Sequence, residues 1–194
     1  VLEKESLTKE SGNEQDNAAA ALAAESVDVL SNGDYVIVSA LNGNKVLDVA
    51  GGSRNNGAQV QLYAFNNTNA QKWRVSHDEK GYVVITNLGS GKVLDIAGAK
   101  KTNGTKVQQY QSNSTLAQKW VAKKTSDGKI QLVSALDETM TLDIAGAKTN
   151  NGTKVQLYKG NNSNAQKFVF KSLSPYVAPC DQVIANGYYT VSSK

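Results

Sequence analysis

The stretch KVLDVAGGSRNNGAQVQLYAFNNTNAQKW, residues 45–73, occurs three times in this chain in closely similar form. The second version is KVLDIAGAKKTNGTKVQQYQSNSTLAQKW at residues 92–120, and the third is MTLDIAGAKTNNGTKVQLYKGNNSNAQKF at residues 140–168. An aspartate, an Asn-Gly pair, a tyrosine and a closing aromatic residue keep their places, and every series steps by 47 and then 48 positions. Self-similarity at a fixed period indicates a fold built from equivalent structural units.

Each unit has the pattern of short β-strands separated by turns. Segments such as VLDVA and QVQLY are apolar, alternating and β-branched, which is typical of strands. A further segment of this kind, YVIVS, YVVIT or IQLVS, precedes each unit. The Asn-Gly pair suits a tight turn because both residues tolerate positive φ. Four short strands in each of three repeats, with no helical period, predict an all-β domain.

The repeats also predict how the domain closes. One four-strand unit cannot bury its own apolar face, whereas three units related by a pseudo-threefold axis can bury theirs together. The expected core residues are Leu47, Leu94 and Leu142, Val60, Val107 and Val155, and the closing rings Trp73, Trp120 and Phe168. Gln71, Gln118 and Gln166 stand two positions before those rings. Facing inward, each amide can tie two backbone segments together and leave no buried polar group unpaired.

Three regions follow from the composition along the chain. Residues 1–31 are predicted to be an acidic linker or a short helix, since DNAAAALAAES is alanine-rich but has no clear apolar face. Residues 32–172 form the repeat domain. Residues 173–194 begin with a linker that holds both prolines. They continue into NGYYTVSS, which resembles NGDYVIVS at 32–39, so we expect the first strand of a following, truncated module. The open edge of such a strand allows strand-mediated self-association.

The charge is unevenly distributed along the 194 residues. The formal net charge is +4; residues 1–30 hold two lysines against seven acidic residues, so the remainder carries +9. Lysines recur beside the glutamines and the Asn-Gly turns, at Lys72, Lys106, Lys119, Lys154 and Lys167. A basic surface attracts phosphate, sulfate or carboxylate polymers. The alternative is an ordinary solvated lysine surface.

The sequence gives little support to an enzyme. His77 stands alone in a polar turn, and Cys180, the single cysteine, has no histidine near it in sequence and allows no intrachain disulfide. We find no motif for a metal or a phosphate cofactor, and the aspartates fall one to a repeat instead of in acid/base pairs. No apolar run reaches the length of a membrane span. We therefore expect no cofactor, no nucleic acid partner and no membrane insertion.

Three Gln-x-Trp/Phe closings, each preceded by Leu-Asp-Val/Ile-Ala and Val-Gln-x-Tyr, resemble the ricin-B-type lectins. The resemblance covers the whole repeat domain and implies a β-trefoil of the kind also used as carbohydrate-binding modules on bacterial glycosidases. It implies a secreted or cell-surface protein, of bacterial origin, that attaches to a polysaccharide or surface glycan without catalysis. A further alternative is that the chain is the targeting arm of a larger hydrolase. The sugars implied are galactose- or xylose-like units or an anionic surface glycan.

The resemblance also implies which residues bind the sugar. In the family, the matching aspartate and aromatic positions are the principal contacts, and glutamines assist them. The residues that match are Asp48, Gln61, Tyr63 and Gln71 in the first repeat, Asp95, Gln108, Tyr110 and Gln118 in the second, and Asp143, Gln156, Tyr158 and Gln166 in the third. A carboxylate can accept hydrogen bonds from two neighbouring hydroxyls, and an aromatic face packs against the apolar face of a pyranose.

Two alternatives stay open at this point. Each aspartate can instead anchor the following loop by accepting from backbone N–H groups, and the trefoil can serve protein–protein contact without a sugar. The chain also departs from the family. Many sugar-binding members have an asparagine immediately before the glutamine, whereas this chain has Ala70, Ala117 and Ala165. Those alanines cannot supply the asparagine's hydrogen bond, which is typically worth about 0.5–1.5 kcal/mol.

Overall fold

The computed structural model describes residues 29–173 of the chain. These residues form twelve strands, four in each repeat, joined by short turns. The strands are β1 Gly33–Ser39, β2 Lys45–Val49, β3 Val60–Ala64, β4 Trp73–His77, β5 Val83–Asn87, β6 Val93–Ile96, β7 Thr105–Tyr110, β8 Trp120–Lys124, β9 Ile130–Ser134, β10 Asp137–Ile144, β11 Thr153–Lys159 and β12 Phe168–Ser172. Six 3-10 turns of three residues each lie at Ala50–Gly52, Asn69–Gln71, Ala97–Ala99, Leu116–Gln118, Ala145–Ala147 and Asn164–Gln166.

Six of the strands form a closed barrel. The first and last strands of every repeat pair in the order β1–β4–β5–β8–β9–β12, and β12 pairs back onto β1. All of these pairings are antiparallel. Closure leaves the barrel strands without a free edge, which explains how a domain of short strands stays intact without a disulfide.

The other six strands form three hairpins that cover one end of the barrel. They pair as β2–β3, β6–β7 and β10–β11. The hairpins also meet one another, because β11 pairs with both β3 and β7, and Gln59 forms a bridge with Gln108. A six-stranded barrel capped by three equivalent hairpins is a β-trefoil, so the predicted all-β, pseudo-threefold fold of four-strand repeats is confirmed.

The predicted core is also confirmed. The leucine, valine and aromatic positions that we expected to meet at the axis are all fully buried, in all three repeats. They belong to one continuous apolar cluster. Truncating a core aromatic residue to alanine typically costs about 3–5 kcal/mol, so the closing rings are major determinants of stability.

One side chain on the pseudo-threefold axis breaks the symmetry. The Nε2 of Gln59 donates to the carbonyl oxygens of Val60, Val107 and Val155 at 2.6, 3.0 and 3.0 Å. These valines occupy the same position in the three repeats. The two N–H donors of a single amide group are therefore shared among three symmetry-related backbone acceptors where the hairpins converge.

A second departure from symmetry lies in the middle hairpin. Gln109 is fully buried where the other repeats have Leu62 and Leu157. Its amide donates to the carbonyl of Ser53 at 2.7 Å and accepts from the hydroxyl of Ser90 at 2.6 Å. The buried amide is thus fully paired, and it ties the first repeat to the second.

The predictions for the flanking segments concern residues that the structure does not describe. The acidic linker or short helix, the C-terminal strand with its possible self-association, and Cys180 lie outside residues 29–173. At the two ends of the described part, Leu30 packs into the main core and the N–H of Leu173 donates to the carbonyl of Asp34 at 2.8 Å. Within residues 29–173, no helix is long and apolar enough to cross a membrane.

Candidate functional site

Each repeat carries one surface cleft at the same place. The clefts have volumes of about 530 Å³ in the first repeat, 360 Å³ in the second and 330 Å³ in the third, and we call them clefts 1, 2 and 3. The shared lining residues of cleft 1 are Asp48, Gln61, Tyr63, Asn66, Thr68 and Ala70. Those of cleft 2 are Asp95, Gln108, Tyr110, Asn113, Thr115 and Ala117. Those of cleft 3 are Asp143, Gln156, Tyr158, Asn161, Ser163 and Ala165.

Strand register brings the aspartate and the first glutamine of each repeat together. Asp48 on β2 stands directly opposite Gln61 on β3, and the other two hairpins repeat this pairing. Cross-strand partners of an antiparallel pair point to the same face, and the amide Nε2 donates to the aspartate Oδ1 at 2.8 Å in all three clefts. Since strand side chains alternate with period two, the tyrosine two residues beyond the glutamine points to that face as well.

The second glutamine of each repeat lies behind the aspartate. The Nε2 atoms of Gln118 and Gln166 donate to the Oδ2 atoms of Asp95 and Asp143, each at 3.1 Å. Gln71, Gln118 and Gln166 are at most 2% exposed and do not line the clefts. These glutamines position the carboxylate from within the domain. Their direct contact with a ligand stays a prediction, and their burial disfavours it.

The same glutamines tie two backbone segments together, as the sequence predicted. In the first repeat, Gln71 donates to the carbonyl of Ala64 at 2.9 Å and accepts from the N–H of Asn66 at 2.8 Å. Gln118 and Gln166 make the equivalent bonds at 2.8 and 3.0 Å. One buried side chain thereby fixes both the carboxylate and the loop that forms one wall of the cleft.

The three aspartates are buried carboxylates whose partners are glutamine side chains. Each is 4–5% exposed. Burial raises the pKa of Asp48, Asp95 and Asp143, and the two glutamine amides beside each carboxylate oppose that rise. Among the described residues, the aspartates accept from these amides and not from the N–H groups of the following loop. The loop-anchor alternative therefore does not fit the structure.

A second polar wall is formed by an Asn-x-Thr/Ser segment in each repeat. From the sequence, Asn66 and Asn161 are candidates to replace the family's missing asparagine, whereas the threonine or serine of the segment had no predicted role. The Oδ1 of Asn66 accepts from the N–H and the hydroxyl of Thr68 at 3.1 and 2.7 Å. Asn113 holds Thr115 in the same way, and Asn161 accepts from the N–H of Ser163 at 3.0 Å. The signal was present in the sequence, since NNT, NST and NNS recur at one place in the repeat.

The opposite wall of each cleft consists of backbone in a left-handed conformation, formed by small residues. Gly51, Gly98 and Gly146 have φ of +64°, +62° and +62° in the tight turns that follow the aspartate strands. Ala99 and Ala147 also have positive φ, at +51°. The alanines that replace the family's asparagine line the clefts too, so that departure falls at a ligand-facing position.

The lysines that the sequence analysis singled out lie elsewhere. Lys119 forms an ion pair with Asp78 at 2.7 Å, and Lys167 lies 3.5 Å from Asp127. Lys106 donates to the carbonyl of Gly57. None of these three residues lines a cleft, and each already has a carboxylate or carbonyl partner within the domain.

The described residues also show what the clefts can do chemically. Within residues 29–173, no group of three or more His, Cys, Asp or Glu side chains could hold a metal ion. Each cleft contains a carboxylate, at least two side-chain amides and a phenol, which suits the recognition of hydroxyl groups.

Comparison with known proteins places this arrangement in a family. The ricin-type beta-trefoil lectin domain-like family matches residues 69–158. The designed threefold symmetric protein ThreeFoil is 30% identical with a TM-score of 0.70, over 73% of this chain and 99% of that one. No curated protein sequence matches the chain.

Two natural proteins are also similar in structure. The exo-β-1,3-galactanase 1,3Gal43A from Clostridium thermocellum is 28% identical with a TM-score of 0.69, over 73% of this chain and 30% of that one. The Rhizoctonia solani agglutinin is 25% identical with a TM-score of 0.67, over 74% of this chain and 96% of that one. The chain belongs to the ricin-type β-trefoil lectin-like family.

Proposed function

We propose that this domain binds carbohydrate without catalysis, through three equivalent clefts, and attaches a larger secreted or cell-surface protein to a polysaccharide or surface glycan. The observation that carries the proposal is the buried Asp–Gln pair that faces a cleft beside a tyrosine, at one geometry in all three repeats. The family and its lectin members support carbohydrate binding in general.

The chemistry of one cleft fits a pyranose. The Oδ1 of each aspartate accepts from the first glutamine, and the Oδ2 of Asp95 and of Asp143 accepts from the second; these oxygens retain lone pairs for hydroxyl donors. The first glutamine and the Asn-x-Thr/Ser wall add donors and acceptors around the ring of the sugar. The tyrosine supplies an apolar face; Tyr110 is 37% exposed, which leaves its ring accessible.

Preorganisation favours binding at these clefts. The second glutamine holds the carboxylate before any ligand arrives, so little side-chain freedom is lost when a sugar binds. Each cleft is open and offers few polar groups, so single-site binding should be weak. Three clefts on one domain can engage one polymer together, and the effective concentration of the second and third sites raises the overall affinity.

We also propose which class of sugar should be tested first. The galactanase among the relatives acts on a β-1,3-galactan by its printed name, which favours galactose-like units over xylose-like ones as first probes. The relatives' own activities are not assigned to this chain, and no catalytic step is proposed for it.

The proposal is tested by neutralising the three carboxylates together. The variant Asp48→Asn, Asp95→Asn, Asp143→Asn should lose at least about 10-fold in affinity for its best glycan on an array, since each charge-assisted hydrogen bond is worth about 1.5–3 kcal/mol. The domain should stay folded, because removal of a buried charge whose pKa is raised by burial offsets the cost of placing an asparagine NH2 against a glutamine amide, and circular dichroism checks this.

A matched control separates this effect from net charge. Glu79→Gln, Asp137→Asn and Glu138→Gln make the same change in charge at positions that line no cleft, and glycan binding should persist. Glycan binding that survives the aspartate triple variant would overturn the assignment of the clefts. Absence of binding to every glycan by the unmodified chain would favour the alternative, a trefoil that serves protein–protein contact.

A further inference from the structure

A cationic side chain lines cleft 1 and another lies beside the glycine that lines each of the other two clefts. Arg54 lines cleft 1 directly. Beside cleft 2, the Cε of Lys100 lies 3.7 Å from the position that a Cβ on Gly98 would take. Beside cleft 3, the Cε of Lys148 lies 3.6 Å from the corresponding Cβ position on Gly146. Both glycines line their clefts. The lysine stems therefore run along the glycine walls, where no side chain blocks them.

The three cations do not all come from one repeat position. Lys100 and Lys148 correspond to each other, and Ser53 occupies their place in the first repeat. Arg54 stands one residue later, at the position of Lys101. A positive charge is thus present beside each cleft, although the residue that carries it has a different repeat position in the first repeat than in the other two. A surface lysine that simply repeated with the rest of the unit would keep one position throughout.

These cations are available to a ligand. Arg54, Lys100 and Lys148 are exposed, and none of them forms an ion pair among the described residues. Lys119 and Lys167, in contrast, lie beside acidic partners. Arg54, Lys100 and Lys148 are therefore free to pair with an incoming anion, although solvent screens their charge.

Each cleft consequently has two opposite charges, the aspartate in its lining and a cation in or beside its glycine wall. Among residues 29–173, the buried aspartate is the one acidic residue that lines it. A neutral sugar uses the carboxylate alone, whereas a sugar with an anionic substituent can place its hydroxyls on the carboxylate and its anion toward the cation. The reverse orientation brings two negative charges together and is disfavoured. The charge pair therefore selects both the class of ligand and its orientation.

We propose that the three clefts prefer acidic sugars, in which a carboxylate or sulfate group on the pyranose contacts Arg54, Lys100 or Lys148 while the ring hydroxyls bind the aspartate. This inference rests on the proposed carbohydrate binding and specifies its substrate class. The trefoil as a whole supports it, since residues 32–172 hold 18 basic and 9 acidic residues and carry a formal charge of +9.

The test uses sugars that differ only by the acidic group. Galactose is compared with galacturonic acid and with galactose 6-sulfate, and xylose with glucuronic acid, by titration of the full chain. The acidic member of a pair should bind about 2–5-fold more tightly per cleft, the range for exposed ion pairs, and the preference should shrink as salt is raised. The galacturonate and sulfate arms distinguish a carboxylate from a sulfate as the preferred anion.

A polymer should amplify the preference. Because three clefts act together, polygalacturonate should bind roughly tens of times more tightly than a neutral galactan of similar length at low salt. The variant Arg54→Met, Lys100→Met, Lys148→Met should abolish this difference while it keeps binding to the neutral sugar, since the aspartates are unchanged.

The control variant Lys80→Met, Lys124→Met, Lys171→Met loses the same charge at exposed positions that do not line any of the three clefts. It should keep the preference for acidic sugars. Equal binding of neutral and acidic sugars by the unmodified chain would overturn the inference and leave the proposed function standing. An equal loss of the preference for acidic sugars in both triple variants would do the same. Failure to bind any sugar would overturn both.

Discussion

At the scale of single residues, the three closing rings differ in the surroundings of their ring nitrogen. The Nε1 of Trp73 donates to the carbonyl of Leu47 at 3.1 Å. The Nε1 of Trp120 is buried without a hydrogen-bond partner among the described residues, and the third repeat has Phe168, which lacks such a group. Ring volume is therefore the shared requirement for closure, and the indole N–H contributes in one repeat only.

This difference predicts unequal effects of one substitution. Trp120→Phe removes an unsatisfied buried donor, whereas Trp73→Phe leaves the Leu47 carbonyl without its donor. We expect Trp73→Phe to destabilise the domain by about 1–3 kcal/mol more than Trp120→Phe, the usual range for a buried polar group left unpaired. Urea denaturation of the two variants measures this difference, and equal losses of stability would contradict the prediction.

The buried aspartates predict how glycan binding depends on pH. An ionised carboxylate accepts hydroxyl donors, so affinity is present above the pKa of the aspartates and is lost as pH falls through it. Burial raises that pKa above the ordinary value of 3.8, so affinity should fall at a higher pH than an ordinary aspartate would allow. Stability has the opposite sign: with a raised pKa, the folded state takes up these protons more readily than the unfolded state, and protonation favours folding.

The expected result is therefore loss of binding in a domain that stays folded. Titration with the best glycan between about pH 7 and pH 4, with circular dichroism recorded in parallel, separates the two properties. An affinity that stays constant until the fold itself is lost would contradict the assigned role of the carboxylates.

At the scale of elements, the tight turn after each aspartate strand shapes the cleft. Its glycine has a left-handed backbone in every repeat, and the next residue is left-handed as well, as Gly52 at φ +59° or as an alanine at +51°. An L-residue in this region costs about 1–2 kcal/mol relative to its favoured conformations. The turn is retained despite that cost, and it keeps side-chain bulk away from the mouth of the cleft.

Gly98→Ala tests this interpretation of the turn. A Cβ on Gly98 would meet Lys100 at 3.7 Å, an ordinary contact, so steric overlap is not expected. The variant should still lose about 1–2 kcal/mol, because alanine must adopt the left-handed backbone. Gly43→Ala is the matched control, since nothing lies within 4 Å of its Cβ position and its φ is not in the left-handed region. Thermal unfolding measures both; similar effects in the two variants would refute the argument.

At the scale of the whole molecule, the barrel holds three clefts in fixed relative positions. The clefts are similar but not identical, since cleft 1 is the largest and Gly89 from the second repeat contributes to it. Rigid spacing limits which polymers can reach two clefts at once, and multivalent gain depends on that geometry. Selectivity for a glycan therefore combines the chemistry of one cleft with the distance between clefts.

Avidity can be separated from single-site affinity with double variants. Asp95→Asn with Asp143→Asn leaves cleft 1 as the one intact site. Titration with a monosaccharide should give an unchanged dissociation constant for that site and a stoichiometry reduced from three to one. Affinity for a polysaccharide should fall by about 10²–10⁴, the range of avidity gains. Equal losses for monosaccharide and polysaccharide would show that the clefts do not act together.

The sequence by itself determined the three-unit β fold, its core and one face of the site. The reason is that the period-two alternation of strands is local, so VLDVA and QVQLY already indicate which side chains point inward. The constant spacing of Leu47, Val60 and Trp73 in three copies then requires a shared core. Placing Asp48 near Gln61 and Tyr63 followed from the resemblance, and the strand register gives the physical basis for it.

Only the tertiary structure decided what surrounds each side chain, because those neighbours come from segments far apart in sequence. It placed Gln71 behind the carboxylate instead of in the cleft, and Gln59 on the axis against three repeats at once. It also separated lysines of identical chemistry: Lys119 lies beside Asp78, whereas Lys100 lies beside Gly98, which lines cleft 2. The sequence specifies the type and charge of each side chain, but whether that side chain is available to a ligand depends on its neighbours in the folded domain.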